Sequence, residues 1–318
     1  MEQFIGCDAH KKFSVFVAVN EKGHAGEALR VAHDRQLYRE FLRRLPPHSP
    51  IAVEASGSYS WLVDEMERSG HRPKLCNPLE AKRRMGLTKK TDTLDARGLA
   101  ILLRNGTLPE VWIPPSELRD QRELLRCRIF LVRLRTRVKN RIHATLLRYN
   151  VQIEGADLFG VAARRQLGVR LPELPEHSCE AIEQELATLD FLNIQIESAE
   201  QRLEAIMKVS VEADLLKTLP CVGKILSMVL MLEIGRVDRF PTAAHLASYA
   251  GLVPRVHSSG GHTRLGQVCG NVNRNLGRGG LVGAHQPGSL SRAAWPAATS
   301  SFVDARVSAA IELAHEAE

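Results

Sequence analysis

Apolar residues are distributed along this chain in two ways. Up to about residue 112 they form short runs bounded by turn signals, and between the runs lie stretches with helical spacing. "QFIGCDA" is one such run and closes on Asp8, and "SVFVAV" follows and ends at the turn signal "NEKG". "GEALRVAH" reads as a third strand and "DRQLYREFLRRL" as a helix. "PIAVEASG" is a short buried strand ending at Glu54, "YSWLVDEMERSG" a helix stopped by glycine, and "RPKLCNP" a further strand.

Three strands, then helix, strand, helix, strand and helix, predict an α/β domain of the ribonuclease H-like type over residues 1–112. "WIPPSELRD" marks its end, because two prolines stop the preceding element and Ser116 can cap a new helix. That helix is expected to run to about Tyr149. Its acidic residues, Glu117, Asp120 and Glu123, lie near its start, where the helix dipole favours them. Ten basic residues follow or intersperse them, and Leu124, Leu131, Leu134, Val138 and Ile142 supply an apolar seam. Residues 178–206 carry a heptad: Ile182, Leu189, Ile196 and Leu203 on one position, Leu192, Ala199 and Ile206 on the other, with Glu185 breaking the second seam. This helical region, 113–210, should pack the acidic heptad helix on the arginine-rich one, on a second copy, or both.

A third region, 211–276, opens with "LKTLPCVGKILSMVLMLEIG", which has the shape of a helix-hairpin-helix turning at Pro220 and Gly223. A glycine there lets backbone amides approach a phosphate at the next helix's start. "VPRVHSSGGHTRLGQ" then offers a loop in which Arg255, Ser258, Ser259, Thr263 and Arg264 set hydroxyls beside cations. From Gly277 to residue 318 the chain is rich in Gly, Pro, Ser and Ala and has no helical period, which predicts a disordered tail apart from a short terminal helix.

Charge sharpens this picture. The 318 residues carry a net charge of +7 with a pI near 9.2, which favours an anionic partner, and nucleic acid is the commonest. The arginine-rich helix alone accounts for that excess. The six cysteines are far apart, with neither zinc-ligand spacing nor a disulfide pattern, so reduced cytosolic thiols are expected. No signal peptide and no apolar run of membrane-spanning length is apparent, so no membrane partner is expected.

The chemistry centres on "KKTDTLDAR". Asp92 and Asp95 are three apart, hence on one helical face. Asp8 and Glu54 end strands that neighbour each other in a ribonuclease H-like sheet, so all four carboxylates are expected to converge. Together they would repel strongly, unless two Mg²⁺ (or Mn²⁺) ions about 3.5–4 Å apart turned them into a phosphodiester clamp. Lys82, Arg83, Arg84, Lys89 and Lys90 would steer the anionic strand. Arg126, Arg133, Arg137 and Arg141 on the long helix are expected to contact phosphates, as are Gly223, Lys224, Arg255 and Arg264 in the third region. A water-using metal nuclease or junction resolvase, and a non-catalytic nucleic-acid-binding remnant, fit the same pattern.

The blocks "FIGCDAHKK", "VAVEASGSY", "NPLEAKRRMGLTKKTDTLDAR" and "LPCVG…ASYAGLVPRVHSSGGHTRLG" resemble, in order, transposases of the insertion-sequence 110 group, which includes the Piv invertases. The resemblance spans roughly residues 3–276. It implies a RuvC-like domain with Asp8, Glu54, Asp92 and Asp95 as the four acidic positions, a coiled-coil linker, and a C-terminal domain whose nucleophile is Ser259, with Ser258 adjacent. It further implies recombination of double-stranded DNA through a phosphoserine, guidance in some members by a structured RNA from the element's non-coding end, and dimers or tetramers with composite sites, in the cytoplasm and on the nucleoid. One departure is evident. "GNVNRNL" runs directly into "GRGGLVGAHQPG" where the family continues with an amphipathic helix. A reading-frame change would explain it, and the serine domain would then lack its last helices.

Overall fold

The computed structural model describes residues 3–86, 91–155, 157–207, 222–251, 253–259 and 261–268, together with 214, 216, 217, 273 and 276. The 277–318 tail, Lys89 and Lys90 lie outside the described residues, as do most of residues 208–221. Two units are present, Met1–Ser116 and Glu117–Glu318.

The first unit is built on a five-stranded sheet of order β3-β2-β1-β4-β5. The strands are β1 (Gln3–Ala9), β2 (Phe13–Asn20), β3 (Leu29–Ala32), β4 (Pro50–Glu54) and β5 (Arg72–Cys76). β1 pairs antiparallel with β2 and parallel with β4, where Cys7 lies opposite Val53; β5 pairs parallel with β4, where Glu54 lies opposite Cys76. This mixed sheet with helices is consistent with the ribonuclease H-like expectation. β3 is shorter than "GEALRVAH" suggested: its pairing covers four residues, and Leu29 is half exposed.

Successive residues of a strand face opposite ways, and β1 uses this fully. Ile5 and Cys7 join one core with Tyr38 and Leu42 of α1 (Arg35–Arg44) and Leu62 and Met66 of α2 (Tyr59–Arg68). Gly6 faces the other side, against α4 (Asp92–Arg104). A β-carbon on Gly6 would lie 1.9 Å from the Ala96 carbonyl oxygen and 2.7 Å from the Ala100 nitrogen. The missing side chain therefore lets the helix backbone rest on the strand. Ala52 of β4 packs on this side too, with Leu99 and Leu102 of α4. The first helix on this face, α3 (Pro78–Met85), starts with Asn77 accepting from the Leu79 and Glu80 amides.

Between α1 and α2 a fully buried carboxylate, Glu65, is held by Arg39 in two hydrogen bonds, and by Arg35 and Arg68 at 3.0 Å each. The Arg39 bonds hold its pKa below the usual carboxylate range against the opposing effect of burial, with the charges of Arg39, Arg68 and Arg35 adding to them.

The second unit is led by two long helices, α5 (Ser116–Arg148) and α7 (Glu176–Met207), with α6 (Val161–Arg170) and a short 3₁₀ turn at Leu171–Glu173 between them. They pack antiparallel. Ile142 and Leu146 near the end of α5 share a core with Ile182 and Leu189, whereas Leu125 near its start meets Leu203. Polar rungs repeat that register: Arg128 with Glu200, Arg135 with Asn193, and Arg141 with Glu185. The heptad therefore finds its partner within the chain, and Glu185 is tolerated in the seam because Arg141 neutralises it. α8 (Lys224–Ile234) and α9 (Ala243–Ala250) follow, then a hairpin of β6 (Pro254–Ser259) and β7 (His262–Val268). Of the expected helix-hairpin-helix, only Gly223 and the second helix lie wholly within the described residues.

A second buried carboxylate ties α5 to α8. Glu233 is fully buried and accepts both Nε and Nη2 of Arg126, at 3.0 and 2.9 Å. Asn273 Nδ2 donates to it at 2.7 Å, and Arg122 donates to the carbonyls of Leu232 and Glu233. Burial lowers Arg122's pKa from the usual arginine range. Arg126 and Arg141, expected on phosphates, pair with Glu233 and Glu185 of the same unit while their side chains stay partly exposed, whereas Arg133 and Arg137 are exposed without an ion pair among the described residues.

Candidate metal centre

Asp8 is the penultimate residue of β1 and is buried at 9% exposure. Parity puts it on the side of Gly6, beneath the start of α4. Glu54 ends the neighbouring strand in step with it and shares a face with Ala52. α4 begins at the N-cap Thr91, whose Oγ1 accepts from the Leu94 amide at 3.2 Å. Asp92 and Asp95 therefore occupy the first helical turn, where the helix dipole stabilises negative charge.

A histidine that the sequence pattern did not single out joins Asp8 to Asp92. His10 Nε2 lies 3.2 Å from Asp8 Oδ2 and 3.2 Å from Asp92 Oδ2. Among the described residues, the ligand atoms of Asp8, His10 and Asp92 form a group within 4.8 Å of one another that could hold a metal ion. Glu54 and Asp95, also expected at this point, are not within it: Glu54 ends the strand paired with that of Asp8, and Asp95 follows Asp92 in the first turn of α4. The charge of Glu54 is felt next door: burial and that charge together push the Cys76 thiol up to about 12. Cys7, on the opposite face from Asp8, is pushed up to about 12 mainly by burial. Both thiols are thus neutral and inert beside the site.

The donor set fits a divalent ion. Two carboxylates facing each other need a cation, and His10 Nε2 is buried without a hydrogen bond of acceptable geometry, as an atom awaiting a ligand bond would be. Of the surrounding cations, Arg83 pairs with Glu80, Arg84 donates to the Thr107 carbonyl, and Lys82 is exposed.

In the β6–β7 hairpin, Ser259 lies opposite His262 and Ser258 opposite Thr263. Ser258 and Ser259 are both exposed. By strand alternation the Ser259 face carries His257, His262 and Arg264. Gly261 in the connecting turn has φ +79°, a conformation that glycine adopts freely. The side chains of Arg255 and Thr263 lie outside the described residues. Gly223 caps α8, and the adjacent Lys224 pairs with Glu204.

Two family models match the chain. A transposase model of the DEDD type named for IS110 covers residues 5–151, and the "Transposase IS116/IS110/IS902 family" model covers residues 213–284. The transposase for insertion sequence element IS1328 of Yersinia enterocolitica is 26% identical over 277 residues, which is 86% of this chain and 80% of that protein. A probable family 20 transposase of Pseudomonas aeruginosa is 27% identical over 269 residues, 83% of this chain and 78% of that protein. The pilin gene-inverting protein of Moraxella lacunata is 28% identical over 222 residues, 66% of this chain and 58% of that protein.

Proposed function

Because this chain belongs to the IS110 family of transposases and is a DNA recombinase, we propose that it cuts and rejoins DNA with a divalent-metal acidic site and a serine nucleophile. The observation that carries the metal-site part of this reading is the convergence of Asp8 and Asp92 on His10 at the C-terminal end of the central strand β1. Asp8 and Asp92, with Glu54 and Asp95 beside them, would hold Mg²⁺ or Mn²⁺. Such an ion would supply Lewis-acid polarisation of the scissile phosphate.

Ser259 is the attacking group. Its Oγ forms a bond to phosphorus as the bond from phosphorus to one strand's oxygen breaks. The serine proton departs, and the freed strand oxygen takes up a proton. A hydroxyl of the other strand then reverses these events, rejoining DNA and restoring the serine. Arg264 and His257, on the same hairpin face, favour Ser259 over Ser258, because they set cationic or hydrogen-bonding groups beside the developing charge. Arg133 and Arg137 hold the phosphate backbone, and Lys82 and the neighbouring cations guide the strand towards the carboxylates. A structured guide RNA and a dimer or tetramer complete the reading by family likeness alone.

Incubation with DNA carrying the element's ends and Mg²⁺, followed by a denaturing gel, tests it. A protein–DNA adduct should form, and both Ser259→Ala and Asp8→Asn should abolish it while DNA binding persists. Cleavage that survives in Ser259→Ala would instead mark a water-using nuclease. Tight binding with no cleavage by the unaltered chain would mark a binding remnant.

A further inference from the structure

We infer that His10 is a ligand of the metal centre alongside Asp8 and Asp92, and that it biases the centre towards Mn²⁺ over Mg²⁺. The inference rests on the proposed metal-dependent reading of this site. His10 follows β1 directly, and its amide donates to the Phe13 carbonyl at 2.9 Å, closing the turn into β2. The Phe13 ring packs 4.7 Å from the imidazole, and the Arg30 guanidinium covers Phe13 at 3.7 Å. The ring is thereby held with Nε2 3.2 Å from an oxygen of each carboxylate.

The geometry, not the distance, sets this contact apart from a hydrogen bond. An N–H can point well at one acceptor, yet Nε2 is equidistant from two oxygens and makes no hydrogen bond of acceptable geometry with either. An ion with metal–ligand bonds of about 2.1 Å in an octahedron holds adjacent ligand atoms about 3.0 Å apart. The two separations of 3.2 Å match such adjacent edges. The chemistry then sets the preference. Mg²⁺ is a hard, oxygen-seeking ion that dehydrates reluctantly, whereas Mn²⁺ takes the same carboxylates but, as a divalent first-row transition ion, also bonds a nitrogen donor.

The full chain titrated with Mn²⁺ alone, followed by electron paramagnetic resonance, tests this. The pulsed spectrum of bound Mn²⁺ should show coupling to a directly bound imidazole nitrogen. His10→Ala should remove that coupling and weaken Mn²⁺ binding about tenfold or more. Mg²⁺, measured by competition, should lose less, so the Mn²⁺/Mg²⁺ preference falls. Far-ultraviolet circular dichroism of the variant without metal checks folding, and the nitrogen coupling of the unaltered chain decides even if the variant misfolds. Mn²⁺ binding that Asp8→Asn abolishes, but that lacks nitrogen coupling and survives His10→Ala, would overturn the role of His10 and leave the acidic site standing. No Mn²⁺ binding by the unaltered chain would overturn both.

Discussion

Gly6→Ala tests how the acidic groups are brought together. The added β-carbon would lie 1.9 Å from the Ala96 oxygen, 2.7 Å from the Ala100 nitrogen and 3.0 Å from the Ala96 carbonyl carbon. A carbon–oxygen contact settles at about 3.3 Å, so strand and helix must part by roughly 1.4 Å. Every clashing atom belongs to helix backbone, so no rotamer change relieves it. Overpacking costs about 1–3 kcal/mol, and a clash with backbone belongs at about 3 kcal/mol or above. For a unit of this size that lowers the melting temperature by roughly 10–20 °C. The same movement carries the first turn of α4 away from β1, and the 3.2 Å spacings of His10 to Asp8 and Asp92 are lost with it. Thermal unfolding by circular dichroism, with a parallel Mn²⁺ titration, reads both effects. A variant that melts within about 2 °C of the parent and binds Mn²⁺ equally well would show that α4 does not rest on Gly6.

Further outcomes follow from the buried charges and the thiols. Glu65→Gln should destabilise the first unit by about 2 kcal/mol in urea, below the range for a fully buried pair because the three arginines are partly exposed. Glu65 is more acidic folded than unfolded. Its contribution is therefore present in full above the ordinary glutamate range and lost as pH falls through the folded value, and Glu65→Gln should flatten that acid limb. Neutralising Arg133 and Arg137 together should reduce the slope of log affinity for duplex DNA against log salt by about 1.8, whereas Arg126→Ala should leave the slope unchanged and lower the stability of the second unit. Brief alkylation of the native chain should modify exposed Cys127 and spare Cys7 and Cys76, whose thiols are buried and pushed up to about 12; equal labelling by mass spectrometry would contradict their packing.

Much of the first unit was legible because its signals are local. The run "QFIGCDA" has the same limits as β1, and the helical spacing of "YSWLVDEMERSG" gave α2 to within a residue or two. β3 was overread because "GEALRVAH" is apolar enough for a strand, yet only Val31 within the paired segment is buried. Asp8, Glu54, Asp92 and Asp95 stood out by closing strands or sharing a helical face. His10 did not, since one histidine beyond a strand has no period; a ligand two places after a buried aspartate is the signal that would have marked it. The pairing of Arg126 with Glu233 was not legible, because the two are 107 residues apart and Glu233 stands at the end of an apolar run. Density of charge is visible in a sequence, but which charges neutralise one another across that separation is a property of packing.

The pairing of α5 with α7 also has a mechanical meaning. The 33 residues of α5 give a rod about 50 Å long at about 1.5 Å per residue. Rungs at Arg128–Glu200, Arg135–Asn193 and Arg141–Glu185 fix the register along it, so neither helix can slide by a residue without breaking all three. Such a hairpin is a ruler: the distance between whatever is fastened to its two ends is counted in residues. Excising one heptad from each helix at matching positions would shorten it by about 10 Å and leave the pairing intact, so the span is a quantity that insertions and deletions could adjust in whole heptads without redesigning the protein around it.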